Sequence, residues 1–284
     1  LGFPVENLVG RVALVWPPPA TPTTEFPTIP LAPPNAANPV RVVAEGVRKP
    51  ITDSLLSYAG TKDPVSGLTW GGVVKTGGDV LVSYDDGFVG AYAGGGGWFI
   101  DGKSVKSNSE VEGLVGAYVR PYRTGLNAFK VGLNLSVWAY DKNLRFFTFG
   151  QGGYFSPQTY FNVGVPLEYS GRSGRLTYLV GGAIGVQHFH EDRSPFYPLE
   201  PAKQAALQAA GNRGFYGART KTGPAFSGRG QVEYQLDNGF SMGALAGVDN
   251  AQDFTEGIAK LYLRKSFGIA PVTASALSPL PGRL

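Results

Sequence analysis

The sequence predicts an all-β protein, an antiparallel transmembrane β-barrel, on three observations. The first is a period of two. From Asn127 to Tyr140, Phe129, Val131, Leu133, Leu135, Val137 and Ala139 fall on one face and Lys130, Gly132, Asn134, Ser136, Trp138 and Tyr140 on the other. Only an extended strand turns that spacing into one greasy and one wet side. The same division recurs from Tyr160 to Tyr169, with Phe161, Val163, Val165, Leu167 and Tyr169 against Tyr160, Asn162, Gly164, Pro166 and Glu168. The second observation is length, since both runs satisfy the roughly 9–11 residues that a tilted strand needs to cross a bilayer. The third is composition. Glycine is frequent (41 of 284 residues) and aromatics reach 12%, yet hydrophobic residues make up 43% and mean hydropathy is −0.06. Lipid-facing and lumen-facing residues alternate in a barrel and cancel in the average. No apolar run of about 18 residues offers a helical span instead.

Taken in order, Val5 to Trp16 is predicted as a strand that stops at Pro17-Pro18-Pro19. Proline at 17, 18, 19, 22, 27, 30, 33, 34 and 39 rules out helix and makes 17–39 a long extended loop. The stretch 40–59 starts as a strand, breaks at Pro50 and resumes. Segments 67–76 and 79–85 are read as two strands joined at Gly77-Gly78, and Asp85-Asp86-Gly87 as a hairpin turn. Phe88 to Ile100 is a strand in spite of Gly94 to Gly97, a run that marks close backbone approach, a bend, or wall kept clear of side chains. Glu110 to Tyr122 alternates again. A glycine- and aromatic-rich connector, NLRFFTFGQGGYFSPQ, separates the two organising strands. Leu176 to Gln187 follows the turn SGRSG, and 188–219 is a long insertion. That insertion carries the one expected helix, Glu200 to Ala210, with Pro201 in its first turn and Gly211 just past its end. Thr220 to Leu236, Gly239 to Asp249 and Glu256 to Phe267 complete a count of about twelve strands.

Several chemistries find no footing. Cysteine is absent, which removes disulfides, thiolate metal sites and cysteine nucleophiles together. The formal charge of +4 is mild, and Lys and Arg are scattered, so no nucleic-acid partner is expected. His188, His190, Glu191 and Asp192 read as a polar loop rather than a metal or acid–base cluster, because alternate residues at a strand end diverge. Asp85 and Asp86 suit hairpin geometry better than paired glycosidase carboxylates. No GxSxG surrounds any serine. The expectation is a protein with no catalytic residue, no metal and no cofactor.

The last strand ends KLYLRKSF, with Leu261, Leu263 and Phe267 on one face and Tyr262 and Arg264 on the other. It is similar to the C-terminal signal by which outer-membrane barrels are recognised for insertion, although Gly268 to Leu284 follow it. With Phe267 at the periplasmic face, parity puts the turns at 122–127, 170–174 and 236–239 in the periplasm and the loops 17–39, 141–157 and 188–219 outside. Short turns inside and long loops outside are the barrel norm. The chain divides as barrel over 1–268 and tail over 269–284, and LGFPVENLVG is no signal peptide, so a longer precursor is expected.

Six blocks together resemble one family: LGFPVENLVG (1–10), RKPITDSLLSYAG (48–60), TWGGVVKTGG (69–78), NLRFFTFGQGGYFSPQTYFNVGVPLEYSGRSGRL (143–176), FHEDRSPFYP (189–198) and LYLRKSFG (261–268). In that order they are similar to the C-terminal barrel domain of bacterial cellulose synthase operon protein C, the outer-membrane cellulose exporter. The resemblance implies a sixteen-stranded barrel preceded by periplasmic tetratricopeptide repeats, of which this chain holds the C-terminal portion. It also implies a non-catalytic pore for a newly made cellulose strand. Implied partners are that strand, outer-membrane lipid, the barrel insertion machinery and, through the repeats, the inner-membrane cellulose synthase complex. The main alternatives are a barrel that anchors enzymatic or adhesive surface loops, or a porin for other solutes. A neutral glucan calls for aromatic faces and hydroxyl partners, so the expected lumen contacts are Trp138, Tyr160, Tyr118, Tyr140, Asn134 and Asn162, with Gln187, Gln231 and Glu233 nearby. Tyr122, Tyr140 and Tyr169 could equally be interfacial anchors.

Overall fold

The computed structural model describes residues 8–16, 39–52, 54–251 and 254–265. Fourteen strands and two helices occur among them. They run β1 (Gly10–Trp16), β2 (Val40–Pro50), α1 (Leu55–Ala59), β3 (Thr61–Lys62), β4 (Thr69–Asp85), β5 (Val89–Lys103), β6 (Asn108–Thr124), β7 (Asn127–Tyr140), β8 (Thr159–Ser173) and β9 (Leu176–Glu191). Then follow β10 (Ser194–Pro195), α2 (Pro201–Ala209), β11 (Phe215–Tyr216), β12 (Arg219–Gln235), β13 (Phe240–Ala251) and β14 (Phe254–Lys265). One antiparallel sheet takes all the long strands in the order β1-β2-β4-β5-β6-β7-β8-β9-β12-β13-β14, with β3 on the side of β4, and β10 and β11 form a separate ribbon. Each long strand pairs with its sequence neighbour, the simplest meander.

Both faces of this sheet are legible. One is a continuous exposed apolar surface: Val80 and Val82 on β4, Val111 and Val115 on β6, Leu133 and Val137 on β7, Phe161 to Leu167 at odd positions on β8, Ile184 on β9 and Leu261 on β14. On β8 the band from Phe161 to Tyr169 covers eight residue steps, about 26 Å along the strand, close to the ~25 Å belt of a membrane barrel. Water would not tolerate so large an apolar surface on a monomer. Tyr84, Tyr122, Tyr169, Tyr178 and Tyr234 flank its lower edge, where aromatic rings settle at an interface. Tyr122 and Tyr169 therefore stand where anchors stand, and Tyr140 does not.

The opposite face carries charge, amide groups and glycine. Many of its ions are paired: Arg120 with Asp85, Lys75 with Glu110, Lys130 and Arg229 with Glu168, Arg264 with Glu233, and Arg11 with Glu45. Several pairs reach across a whole intervening strand, and a glycine in that strand makes room. Tyr118 donates to Asp85 at 2.7 Å over Gly90, whose added Cβ would meet the ring at 2.1 Å. Tyr262 lies over Gly243 in the same way and donates to Glu233 at 3.0 Å. Arg229 meets Glu168 at 2.7 Å over Gly181, which is in register with both.

Two expectations are corrected. Gly77 and Gly78 do not end a strand; they pair with Trp98 and Gly97, and β4 runs through them. The chain after Pro50 resumes as helix, not strand. Ser54 caps α1 by accepting the Ser57 amide, and Gly60, at φ 68°, ends it, so there are two helices rather than one. The 17–39 loop falls, but for Pro39, outside the described residues; Trp16 and Val40 on either side of it pair with Val42 and Tyr84, at the end that carries the short turns. Segment 51–68 lies at the end that carries the loops 141–157 and 188–219. The main sheet has eleven long strands plus β3, in agreement with the expected count of about twelve, and no pairing joins β14 to β1 among the described residues.

Candidate functional site: a rung-lined wall beneath a packed mouth

Strand register sorts the polar face into rungs. Highest are Glu112, Trp138, Tyr160, Phe189 and Lys221, each paired with the next across β6, β7, β8, β9 and β12. One step down come Leu114, Ser136, Asn162, Gln187 and Gly223, and below them Gly116, Asn134, Gly164, Gly185 and Ala225. Two steps further, Lys130, Glu168, Gly181 and Arg229 align. In between, Pro166 has no N–H to give β7, and the ladder skips from Val131 to Asn134. The wall thus passes from aromatic, through neutral amide and hydroxyl over a glycine floor, to a closed ion triad.

The structure brings most of the expected site residues together. Trp138 and Tyr160 stack with centroids 3.5 Å apart and planes at 14°, and the Tyr160 hydroxyl donates to Gln187 Oε1 at 2.9 Å. Asn134, Ser136 and Asn162 follow directly below. Four buried polar atoms of this strip have no hydrogen-bond partner: Asn134 Oδ1, Ser136 Oγ, Asn162 Oδ1 and Trp138 Nε1. Such atoms normally find one, and leaving one unmet costs about 1–3 kcal/mol. Tyr118 stands on the neighbouring strand β6, one rung below Asn134, held by Asp85 beneath Arg120. Tyr140 lies above the rungs in an apolar cluster.

That cluster fills the mouth on the long-loop side. Ile51 and Leu56 from 51–68, Trp70, Val73 and Ile100 from the wall, and Leu144 and Tyr154 from the connector pack around Tyr140, with Trp138 against them. Burial pushes the Tyr154 phenol up, and Asn108 Nδ2 donates to its oxygen at 3.0 Å. Phe155 sits edge-on to both Tyr160 and Phe189. From the far side Phe146 stacks on Tyr216 at 3.6 Å, while Gln204 of α2 donates to the Gly214 carbonyl. Phe189, Phe155 and Ser136 were not among the expected contacts. Strand parity alone marks Ser136 and Phe189, but nothing local marks Phe155, which a loop folds back onto the wall.

His188 and His190 face the apolar side, two residues apart, each with Nδ1 against a threonine, Thr222 at 2.6 Å and Thr220 at 2.7 Å, whereas Glu191 points to the polar face. No group of three His, Asp or Glu able to hold a metal occurs among the described residues. At the end of the sheet, Leu261 (88% exposed) and Leu263 (68%) lie on the apolar face as expected, and Phe267 falls outside the described residues.

The sequence that builds this sheet is similar to known proteins. Residues 33–268 match the family model for the cellulose synthase operon protein C C-terminus. The chain belongs to this family. Similar proteins named cellulose synthase operon protein C include one from Xanthomonas axonopodis pv. citri, 36% identical over 235 residues, covering 78% of this chain and 16% of the relative. One from Komagataeibacter xylinus is 42% identical over 205 residues, 72% of this chain and 14% of the relative. One from Pseudomonas fluorescens is 34% identical over 267 residues, 94% of this chain and 19% of the relative. The chain thus spans less than a fifth of the length of these relatives. The matched family model is that of the C-terminus of cellulose synthase operon protein C.

Proposed function

We propose that this chain is the wall of an outer-membrane β-barrel through which a newly made cellulose strand leaves the periplasm, without covalent chemistry of its own. The observation that carries this reading is the neutral strip of Trp138, Ser136, Asn162 and Asn134, whose unpartnered buried atoms face the polar side of a sheet with an apolar reverse. Sugar hydroxyls both donate and accept, so they can meet a row that offers two amide oxygens, one hydroxyl and one indole N–H. Lys130 and Arg229 below the rungs are neutralised by Glu168, so the triad offers an anionic polymer no free cation. The long-loop end faces outward and the short turns face the periplasm. Residues 1–268 form the barrel part and 269–284 a tail. Leu261 and Leu263, with Phe267, present the signal for the insertion machinery, and repeats upstream connect the barrel to the cellulose synthase complex of the inner membrane.

Single-channel conductance of the full-length protein in a planar bilayer tests this. Soluble cello-oligosaccharides added from the periplasmic side should block in a concentration-dependent way, alginate oligomers should not, and Asn162→Leu should weaken the block by roughly tenfold, one lost hydrogen bond with a desolvated partner. Equal block by both sugars, or block that ignores Asn162→Leu and Trp138→Ala alike, would overturn the glucan reading.

A further inference from the structure

The apolar face of the sheet is hollowed where β4, β5 and β6 approach the short turns. Register sets Tyr84 beside Ala91 and Ala91 beside Ala117; one step nearer the turns, Val89 lies beside Val119 and Val119 beside Val131. The two alanines form the floor, and the larger side chains the rim, of a hollow of about 380 Å³, a volume within the range of ligand pockets. Above it β5 turns only Ala93, Gly95 and Gly97 outward, while Val80 and Val82 of β4 and Val111 and Val115 of β6 stand exposed on either side. From Ala91 to Gly97 there are six residue steps, about 20 Å along the strand. The rim ends on a carboxylate. Tyr84 donates to Asp86 Oδ2 at 3.3 Å, and Asp86 Oδ1 accepts from the amides of Phe88 and Val89. No cation pairs with Asp86 among the described residues, whereas the neighbouring Asp85 is engaged by Arg120 and Tyr118 on the polar face.

We infer that this hollow seats one acyl chain of a phospholipid of the periplasmic leaflet, whose ammonium headgroup meets Asp86 and Tyr84. The inference rests on the barrel reading above, in which this face lies in lipid, and not on what passes through the lumen. In a bilayer one acyl chain replaces another, so hydrophobicity gives no preference, and residence is decided by packing and by the headgroup. A chain on the ridged surface elsewhere touches the wall on one side; a chain in the hollow touches the floor and both rims, and each added contact contributes dispersion. The furrow over β5 continues the seat in the direction an extended chain runs. At the headgroup, an ionised carboxylate offers about four acceptor sites, and Asp86 uses three of them on Tyr84, Phe88 and Val89. An ammonium supplies the missing donor and the missing positive charge together. A headgroup with net negative charge sets like against like at the same place. The Tyr84 ring, at the edge where aromatic side chains settle, fixes the depth at which the two groups meet.

Native mass spectrometry of the full-length protein, delipidated in detergent and titrated with dioleoyl phosphatidylethanolamine or dioleoyl phosphatidylglycerol, tests this, with heat-dependent gel mobility as a check that each variant is folded. The parent should retain one phosphatidylethanolamine roughly threefold more tightly than phosphatidylglycerol, the measure of one exposed ion pair. Ala117→Leu, which fills the floor from the lipid side, should weaken retention of both lipids by roughly tenfold. Asp86→Asn keeps an acceptor for the two amides, so it should still hold the chain but bind the two lipids alike. Val137→Leu, exposed elsewhere on the same face, should change nothing. Equal retention of the two lipids by the parent, or retention indifferent to Ala117→Leu, would overturn the site. A dimer that Ala117→Leu removes would overturn it too, and give the hollow to a second copy of the chain. If the folded parent enters vesicles yet retains neither lipid, the site is wrong and the barrel stands. A chain that does not enter vesicles at all loses the barrel reading, and this inference with it.

Discussion

At the residue scale the wall depends on glycines that have something above them. Tyr118 can reach Asp85 only because β5 offers no Cβ at Gly90; an added methyl would sit 2.1 Å from the ring, and the strand backbone cannot yield. Gly90→Val should therefore evict the ring, break its 2.7 Å bond to Asp85 and lower unfolding stability by about 2 kcal/mol, the middle of the range for overpacking. Gly97, on the same strand, meets nothing within 4 Å and lies on the apolar face. Gly97→Val should stay within about 0.5 kcal/mol of the parent. Urea unfolding of the full-length protein in lipid vesicles decides it, and equal losses at both positions would mean that strand propensity rather than the tyrosine contact sets the cost. None of this was legible from composition. The sequence displays many glycines, but which of them lies under a side chain is decided by register with strands some thirty residues away.

Elements were legible where one face is apolar throughout and the other polar, and illegible where neither holds. The alternations of β6, β7 and β8 place Val111, Leu133 and Val163 outward as the pattern requires, because a one-residue slip would turn every such side chain inward. The break predicted at Gly77-Gly78 failed because glycine is also what a crowded strand needs, and the helix after Pro50 was missed because five residues are too few for a period to emerge. The Asp85-Asp86-Gly87 turn was readable from its chemistry, and the geometry explains why. Asp86 Oδ1 accepts from the amides of Val89 at 2.8 Å and Phe88 at 2.9 Å, and those two bonds hold its carboxyl below the ordinary value. A depressed folded pKa means that the support is complete above the unfolded value of about 3.9 and is lost as the pH falls through the folded value beneath it. Amide exchange at Phe88 and Val89, normalised to intrinsic rates, should lose protection below about pH 4 and not between pH 5 and 8. In Asp86→Asn that acid step should vanish; a step that persists would assign it to the neighbouring Asp85 instead.

At the scale of the whole molecule, the two faces make a claim about solvent that fluorescence can examine. The chain has four tryptophans, and the fold separates them: Trp16 is 56% exposed on the apolar face of β1, whereas Trp70 and Trp98 are 4% and 6% exposed and Trp138 is packed in the mouth cluster. If the apolar face meets acyl chains, lipids brominated near the headgroup should quench Trp16 and spare the other three, since Trp16 sits at the short-turn end where the tyrosines mark the interface. In the full-length protein the quenchable emission should therefore fall when Trp16→Phe is introduced and stay when Trp98→Phe or Trp138→Phe is. The polar face gives the contrast. Acrylamide, which travels in water, should leave Trp138 largely unquenched beneath its packed cluster, so Trp138→Phe should not lower the acrylamide-quenchable emission. Lipid quenching that survives Trp16→Phe and disappears with Trp98→Phe would invert the two faces, and with them the direction in which the rungs of Ser136, Asn162 and Asn134 look.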